Sequence, residues 1–138
     1  MPAFEAWSHQ YAACETFFDA YVTCALWSSS ANTCEGDDRP LDSFDCELSN
    51  DALDVMRADC DRFEAEAGEL IDEANTSSRY GADAQAGHDF WLNRNGHGCG
   101  FWDGDWNEPA ATKLDELATS FGECDLYLAD DDFTVEVM

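Results

Sequence analysis

Apolar residues recur along the first part of the chain at alternating steps of three and four. Phe4, Trp7, Tyr11, Cys14, Phe18, Tyr21 and Ala25 fall on one stripe, so the spacing predicts an amphipathic helix over residues 4–27. Phe17, Val22 and Leu26 widen that stripe, and Ser28-Ser29-Ser30 ends it. Leu53, Met56, Cys60, Phe63, Ala67, Leu70 and Ala74 repeat the rhythm and predict a second helix over 50–75, antiparallel to the first. Ser49 or Asn50 suits its N-cap, and Asp51 and Asp54 suit the positive end of its dipole. Gly68 inside it costs up to about 1 kcal/mol relative to Ala, which packing can offset. Residues 31–48 read as a polar loop broken by Gly36 and Pro40, with Leu41 and Phe44 pinning it down.

The rhythm changes after residue 87. His88-Asp89-Phe90-Trp91-Leu92-Asn93-Arg94 is rich in aromatics, Asn95-Gly96 signals a tight turn, and Phe101-Trp102-Asp103 echoes Asp89-Phe90-Trp91. This predicts a β-hairpin over 88–106. Ala110, Leu114, Leu117, Ala118 and Phe121 predict a helix started near Pro109 and ended at Gly122. Asp125–Leu128 and Phe133–Val137 frame an acidic turn, a second hairpin. The expected fold is one acidic α+β domain over 1–138. It has two N-terminal amphipathic helices, then hairpin–helix–hairpin forming a small antiparallel sheet, in the order ααββαββ.

Charge sharpens the picture of partners. Thirty-one Asp and Glu face six Lys and Arg, a formal net of −25 over 138 residues. Such a chain repels nucleic acid and anionic lipid directly, and attracts surfaces built to hold phosphate. The acid is concentrated: fifteen carboxylates lie between Glu35 and Glu73, but only Glu5, Glu15 and Asp19 fall within residues 1–30. On the second helix Asp59, Glu66, Glu69 and Glu73 lie three, four or seven apart, sharing an outer face with Arg62, and Asp54 and Asp61 line a neighbouring row. Four helical residues advance about 6 Å, on the scale of the phosphate repeat along a nucleic-acid strand. Like charges so spaced cost a few tenths of a kcal/mol per pair. One use of such a surface is mimicry, in which an acidic helix occupies the basic groove of a nucleic-acid-handling protein. The plain alternative is a solvated surface, and the scarcity of Lys (Lys113 alone) fits it too. Asp37, Asp38, Asp42 and Asp45 in the preceding loop extend the acidic set.

Other chemistry centres on Asn95-Gly96-His97-Gly98-Cys99-Gly100. Its backbone N–H groups suit an anion nest, but the lysine and following helix of a phosphate loop are missing. His88, His97, Cys99 and Asp103 are the alternative: metal ligands of a small binding module or metal-dependent hydrolase, with Asp89 and Asp105 nearby, although no established spacing is met. Nucleophilic catalysis would need Cys99 or a serine beside His97 or His88, with Asp89 or Asp103 orienting the imidazole. A hairpin turn with packed aromatics is the structural reading of the same residues, and no cofactor is expected.

No run approaches a membrane span, no signal pattern opens the chain, and a soluble intracellular protein is expected. Seven cysteines without a Cys-x-x-Cys pair read as mostly buried thiols, with a Cys34–Cys46 disulfide as the alternative.

The run AGHDFWLNRNGHGCGFWDGDW (Ala86 to Trp106), with GECDLYLADD (Gly122 to Asp131) after it, resembles a small protein family common in bacteriophage and prophage genomes. YVTCALWSSS (Tyr21 to Ser30) and MRADCDRF (Met56 to Phe63) extend the resemblance over most of the chain. Asn93, often Thr in that family, and the extra cysteines at 34, 46 and 99 depart from it. The family has no established activity, so the resemblance implies context only: an accessory protein in a host cytoplasm, alongside DNA metabolism or defence. The leading expectation is therefore a non-enzymatic, virus-derived inhibitor of a basic nucleic-acid-binding host protein or defence complex, of anti-restriction or anti-CRISPR type.

Overall fold

A computed structural model describes residues 16–32, 38–41, 46–96, 100–102, 104–131 and 133–137. The fold is α+β and mostly helical. Helix α1 (Phe17–Ser28) leads to strands β1 (Ser30–Asn32), β2 (Asp38–Pro40) and β3 (Glu47–Leu48). Helix α2 (Asn50–Ala67), two 3₁₀ turns (Gly68–Leu70 and Glu73–Asn75), and helices α3 (Ala82–Arg94) and α4 (Ala110–Ser120) follow. Strands β4 (Leu126–Leu128) and β5 (Thr134–Val137) complete the order.

Helix α1 begins at Thr16, whose hydroxyl accepts from the Asp19 N–H. Its buried face is Phe17, Ala20, Tyr21, Cys24 and Ala25, with Phe18 only partly covered. The expected residues 4–15 of this helix lie outside the described residues. Helix α2 is capped by Ser49, which accepts from Ala52 N–H, and buries Ala52, Met56, Cys60, Phe63 and Ala67. It ends before residue 75 because Gly68 adopts φ 53°, a left-handed turn that terminates the helix instead of being absorbed in it.

The hairpin expected over 88–106 is not formed, so the ααββαββ order is replaced. Residues 82–94 are helical, and 11 of these 13 residues are buried. Ala82, Ala84 and Ala86 favour helix, and the aromatics that suggest a strand are buried from several sides at once. Asn95-Gly96 is the helix stop: Gly96 takes φ 67°, and the Asn95 side chain donates to Trp91 O and accepts from Cys124 N–H. At the other end the Glu73 carboxylate accepts from Ala82 N–H at 2.5 Å, serving the orphan donors that Gly81 cannot.

Helix α1 packs most extensively on α3, through small residues. Gly87 is required there, since a Cβ would sit 2.1 Å from the Phe17 carbonyl oxygen. Phe63 stacks on Phe90 at 4.1 Å between centroids and lies 5.7 Å from Phe101, so α2, α3 and the loop after α3 share one aromatic core.

The sheet also differs from a pair of antiparallel hairpins. It is three-stranded and mixed, ordered β3-β5-β4, with β4 antiparallel to β5 as the C-terminal hairpin requires. β3 runs parallel to β5, pairing Leu48 with Val135. β1 and β2 form a separate antiparallel pair within the segment expected to be loop.

Candidate functional site

The acidic surface is built by α2. Asp51, Asp54 and Asp61 are exposed on the face opposite the Met56–Cys60–Phe63 stripe. Asp54 and Asp61 are two turns apart, about 10 Å along the axis. Glu64 at the edge of this face has its carboxyl raised above the ordinary range, first by partial burial and then by the like charges of Asp83 and Asp61. The field of α2 thus reaches the first turn of α3.

The other carboxylates expected on this face have separate tasks. Asp59 turns inward and pairs with Arg94 Nη1 at 2.9 Å. Glu66 is exposed and bound to Arg62 at 3.2 Å. Glu69 is exposed on the 3₁₀ turn beyond the helix, and Glu73 caps α3, so the helical spacing that groups them with Asp59 does not persist past Gly68. Asp38 lies on β2, opposite Asn32. Asp37, Asp42 and Asp45 lie outside the described residues.

Four arginines are held against rings or carboxylates of the fold, three of them (Arg57, Arg62 and Arg79) still exposed and one, Arg94, buried. The Arg57 guanidinium lies 3.6 Å from the Phe18 ring centre, and that of Arg62 lies 4.0 Å from the Phe121 ring centre. Arg79 sits over Tyr80. Arg94, only 7 % exposed, is the hub of a buried cluster. Its Nε donates to Gly122 O at 2.8 Å, Nη1 to Tyr21 Oη at 3.0 Å and to Asp59, and Nη2 to Phe121 O at 3.3 Å. Burial alone would lower the Arg94 pKa, yet Tyr21 and Asp59 hold it above the ordinary value. Around it, burial raises the Tyr21 hydroxyl and the Cys60 and Cys124 thiols. Cys60 and Cys124 are therefore protonated packing groups, not activated nucleophiles.

The second candidate region divides at the helix end. His88 lies on α3, its Nδ1 3.4 Å from Asp89 Oδ1. His97, Cys99 and Asp103 lie outside the described residues, and no group of three or more metal-ligating side chains occurs among the described ones. Cys46 Sγ donates to Leu41 O at 3.3 Å, while Cys34, its expected alternative partner, lies outside the described residues.

Asp89, which the sequence alone offers as an orienter of His88 or His97, is an acceptor at the heart of the fold. It is 2 % exposed, and Oδ2 accepts from Gln85 Nε2 at 2.9 Å and Trp106 Nε1 at 2.8 Å. Burial pushes its carboxyl above the ordinary range, against the lowering effect of His88, Gln85 and Trp106. Asn93 does similar work further along α3: its amide donates to Asp115 Oδ1 at 2.9 Å and accepts from Phe101 N–H at 3.1 Å. No sequence pattern singles out Gln85, Asn93 or Arg94, because helical residues paired inside a core look like any polar residues.

No helix among the described residues is long and apolar enough to cross a membrane. Comparison of the chain with protein families, with curated proteins and with solved structures finds no match.

Proposed function

We propose that this is a non-enzymatic binding protein whose acidic α2 face enters the basic groove of a nucleic-acid-handling partner and blocks it. The observation that carries this reading is the asymmetry of charge use. Arg57, Arg62, Arg79 and Arg94 are each held by rings or carboxylates of the fold, whereas Asp51, Asp54 and Asp61 stand exposed in one row and make no ion pair among the described residues. Complementary charge of this kind gives fast, salt-sensitive association. In the same reading the protein is virus-derived and acts in a host cytoplasm against a defence nuclease of restriction or CRISPR type. The resemblance carried by Ala86–Trp106 supports that context, and the buried thiols of Cys60 and Cys124 suit a reducing compartment.

The test is affinity capture from host lysate at low and high salt, with the wild type and an Asp51→Lys/Asp54→Lys/Asp61→Lys variant. The expected outcome is one nucleic-acid-binding complex retained at low salt, released at high salt and lost in the variant, whose circular dichroism is unchanged. Capture of the same proteins by the variant, at the same salt dependence, would refute electrostatic mimicry.

A further inference from the structure

The end of α3, the loop at 100–102 and α4 enclose an open cleft of about 560 Å³. None of its lining residues belongs to α2. Trp102 stands in its wall with 55 % of its surface exposed, the most exposed large apolar side chain among the described residues. An indole left in water beside a concave surface is a common anchor for a ligand. Asp115, Glu123, Asn95 and Thr119 supply the polar lining.

The cleft is braced from behind. Asn93 bonds Asp115 on α4 and the Phe101 N–H with one amide, which fixes the carboxylate relative to the Phe101 backbone, one residue before Trp102. Gly100 is required in this brace, because a Cβ there would lie 2.4 Å from Asn93 Oδ1. Charge selects the ligand. Asp115 and Glu123 make no ion pair among the described residues, and Arg94 in the wall is already neutralised by Asp59 and backed by two carbonyls. A cleft lined by an exposed indole and two carboxylates fits a planar cation that can stack and donate several hydrogen bonds together.

The geometry points to a guanidinium pocket: the Trp102 cleft binds an arginine side chain presented by a basic protein partner. The source is a peptide-borne arginine, since free arginine brings an α-carboxylate for which the lining offers no unpaired cation, Arg94 being held by Asp59. Only the identity of the arginine's owner rests on the proposed function; the pocket stands on its own lining.

N-acetyl-arginine amide is the probe, and N-acetyl-citrulline amide is its neutral isostere. Nuclear magnetic resonance would follow the indole N–H signals of the five tryptophans, with Trp102→Phe identifying the one concerned. The arginine derivative should shift the Trp102 signal saturably, with a dissociation constant on the order of 1 mM, and citrulline should not. Read from the backbone amide shifts of Asp115 and Thr119, Trp102→Leu should weaken binding roughly five- to tenfold, and Asp115→Asn/Glu123→Gln, read from the Trp102 signal, should weaken it by a similar factor. Asp54→Lys/Asp61→Lys should change it less than about twofold, since exposed charges at a distance are screened. Absence of saturation, an equal response to citrulline, or unchanged affinity in Trp102→Leu would each overturn the pocket. Loss of binding in the α2 variant alone would move the cation to α2, overturning the pocket and leaving the mimicry reading intact. Binding at Trp102 without salt-sensitive partner capture would sink mimicry and leave the pocket standing.

Discussion

Replacing Arg94 by Met keeps the length of the stem and removes the guanidinium that ties all four helices together. Its donors reach Tyr21 on α1, Asp59 on α2 and the carbonyls of Phe121 and Gly122 at the end of α4, while its own stem belongs to α3. Three losses follow. The Tyr21 hydroxyl, fully buried, loses its charged donor and keeps a weaker hydrogen bond with the Cys124 thiol, at about 1–2 kcal/mol. The Asp59 carboxylate loses its counter-charge; its side chain is 25 % exposed, so water recovers part of a penalty that reaches about 3–5 kcal/mol for a fully buried pair. The two carbonyls lie near solvent and rehydrate at small cost. We expect a net destabilisation of about 3–5 kcal/mol, and Arg94→Lys should recover only part of it because an ammonium cannot span the same fork. Urea unfolding, monitored by tryptophan fluorescence with Trp91 as a buried reporter, gives the free energies. A double-mutant cycle with Tyr21→Phe isolates the Tyr21 share, expected at about 1 kcal/mol of coupling. A loss below about 1 kcal/mol in Arg94→Met, the value of an exposed ion pair, would show that the guanidinium is not a structural pin.

Two further outcomes test the packing. Gly87→Ala must push α1 and α3 apart at the Phe17 carbonyl, so a loss of about 3 kcal/mol and a fall in Tm of roughly 10 °C are expected by calorimetry; an unchanged Tm would mean the helices do not approach this closely. Asp89→Asn tests a buried acid whose folded pKa lies above its unfolded value of about 3.9. The folded state then holds the proton more tightly, so Asp89 lowers stability as pH climbs from about 4 through the folded pKa. Relative to wild type, the Asn variant should gain stability over that climb, read from urea midpoints at pH 4 and pH 8; a difference independent of pH would refute the assignment.

Helix α2 is legible because its apolar residues fall on one face and solvent covers the other. The Met56–Cys60–Phe63–Ala67 spacing and the Ser49 cap both survive in the structure, while Ala52 rather than Leu53 is the buried residue of the first turn. Helix α3 is not legible for the opposite reason. Core surrounds it, so Phe90, Trp91 and Leu92 are all buried and no period emerges. Its polar residues satisfy one another inside, through Asp89 with Trp106 and Asn93 with Asp115, which sequence cannot distinguish from exposure. Strand β3 is two residues long and pairs with a segment remote in the chain, so nothing local marks it. For the candidate site, the exposed row of Asp54 and Asp61 was readable from helical spacing. The inward turn of Asp59 was not, because it depends on where α3 delivers Arg94.

The parallel pairing of β3 with β5 bears on how the chain is made. The Ser49 hydroxyl that caps α2 also donates to the Glu136 carboxylate, a partner 87 residues away. During synthesis α2 therefore emerges long before the strand that borders it and completes its cap. Until residues 134–137 arrive, Glu47 and Leu48 present unpaired backbone beside one of the most acidic stretches of the chain. Charge there discourages wrong pairing with a second nascent chain, since like-charged edges repel. The same carboxylates would thus guard the ribosome-bound intermediate.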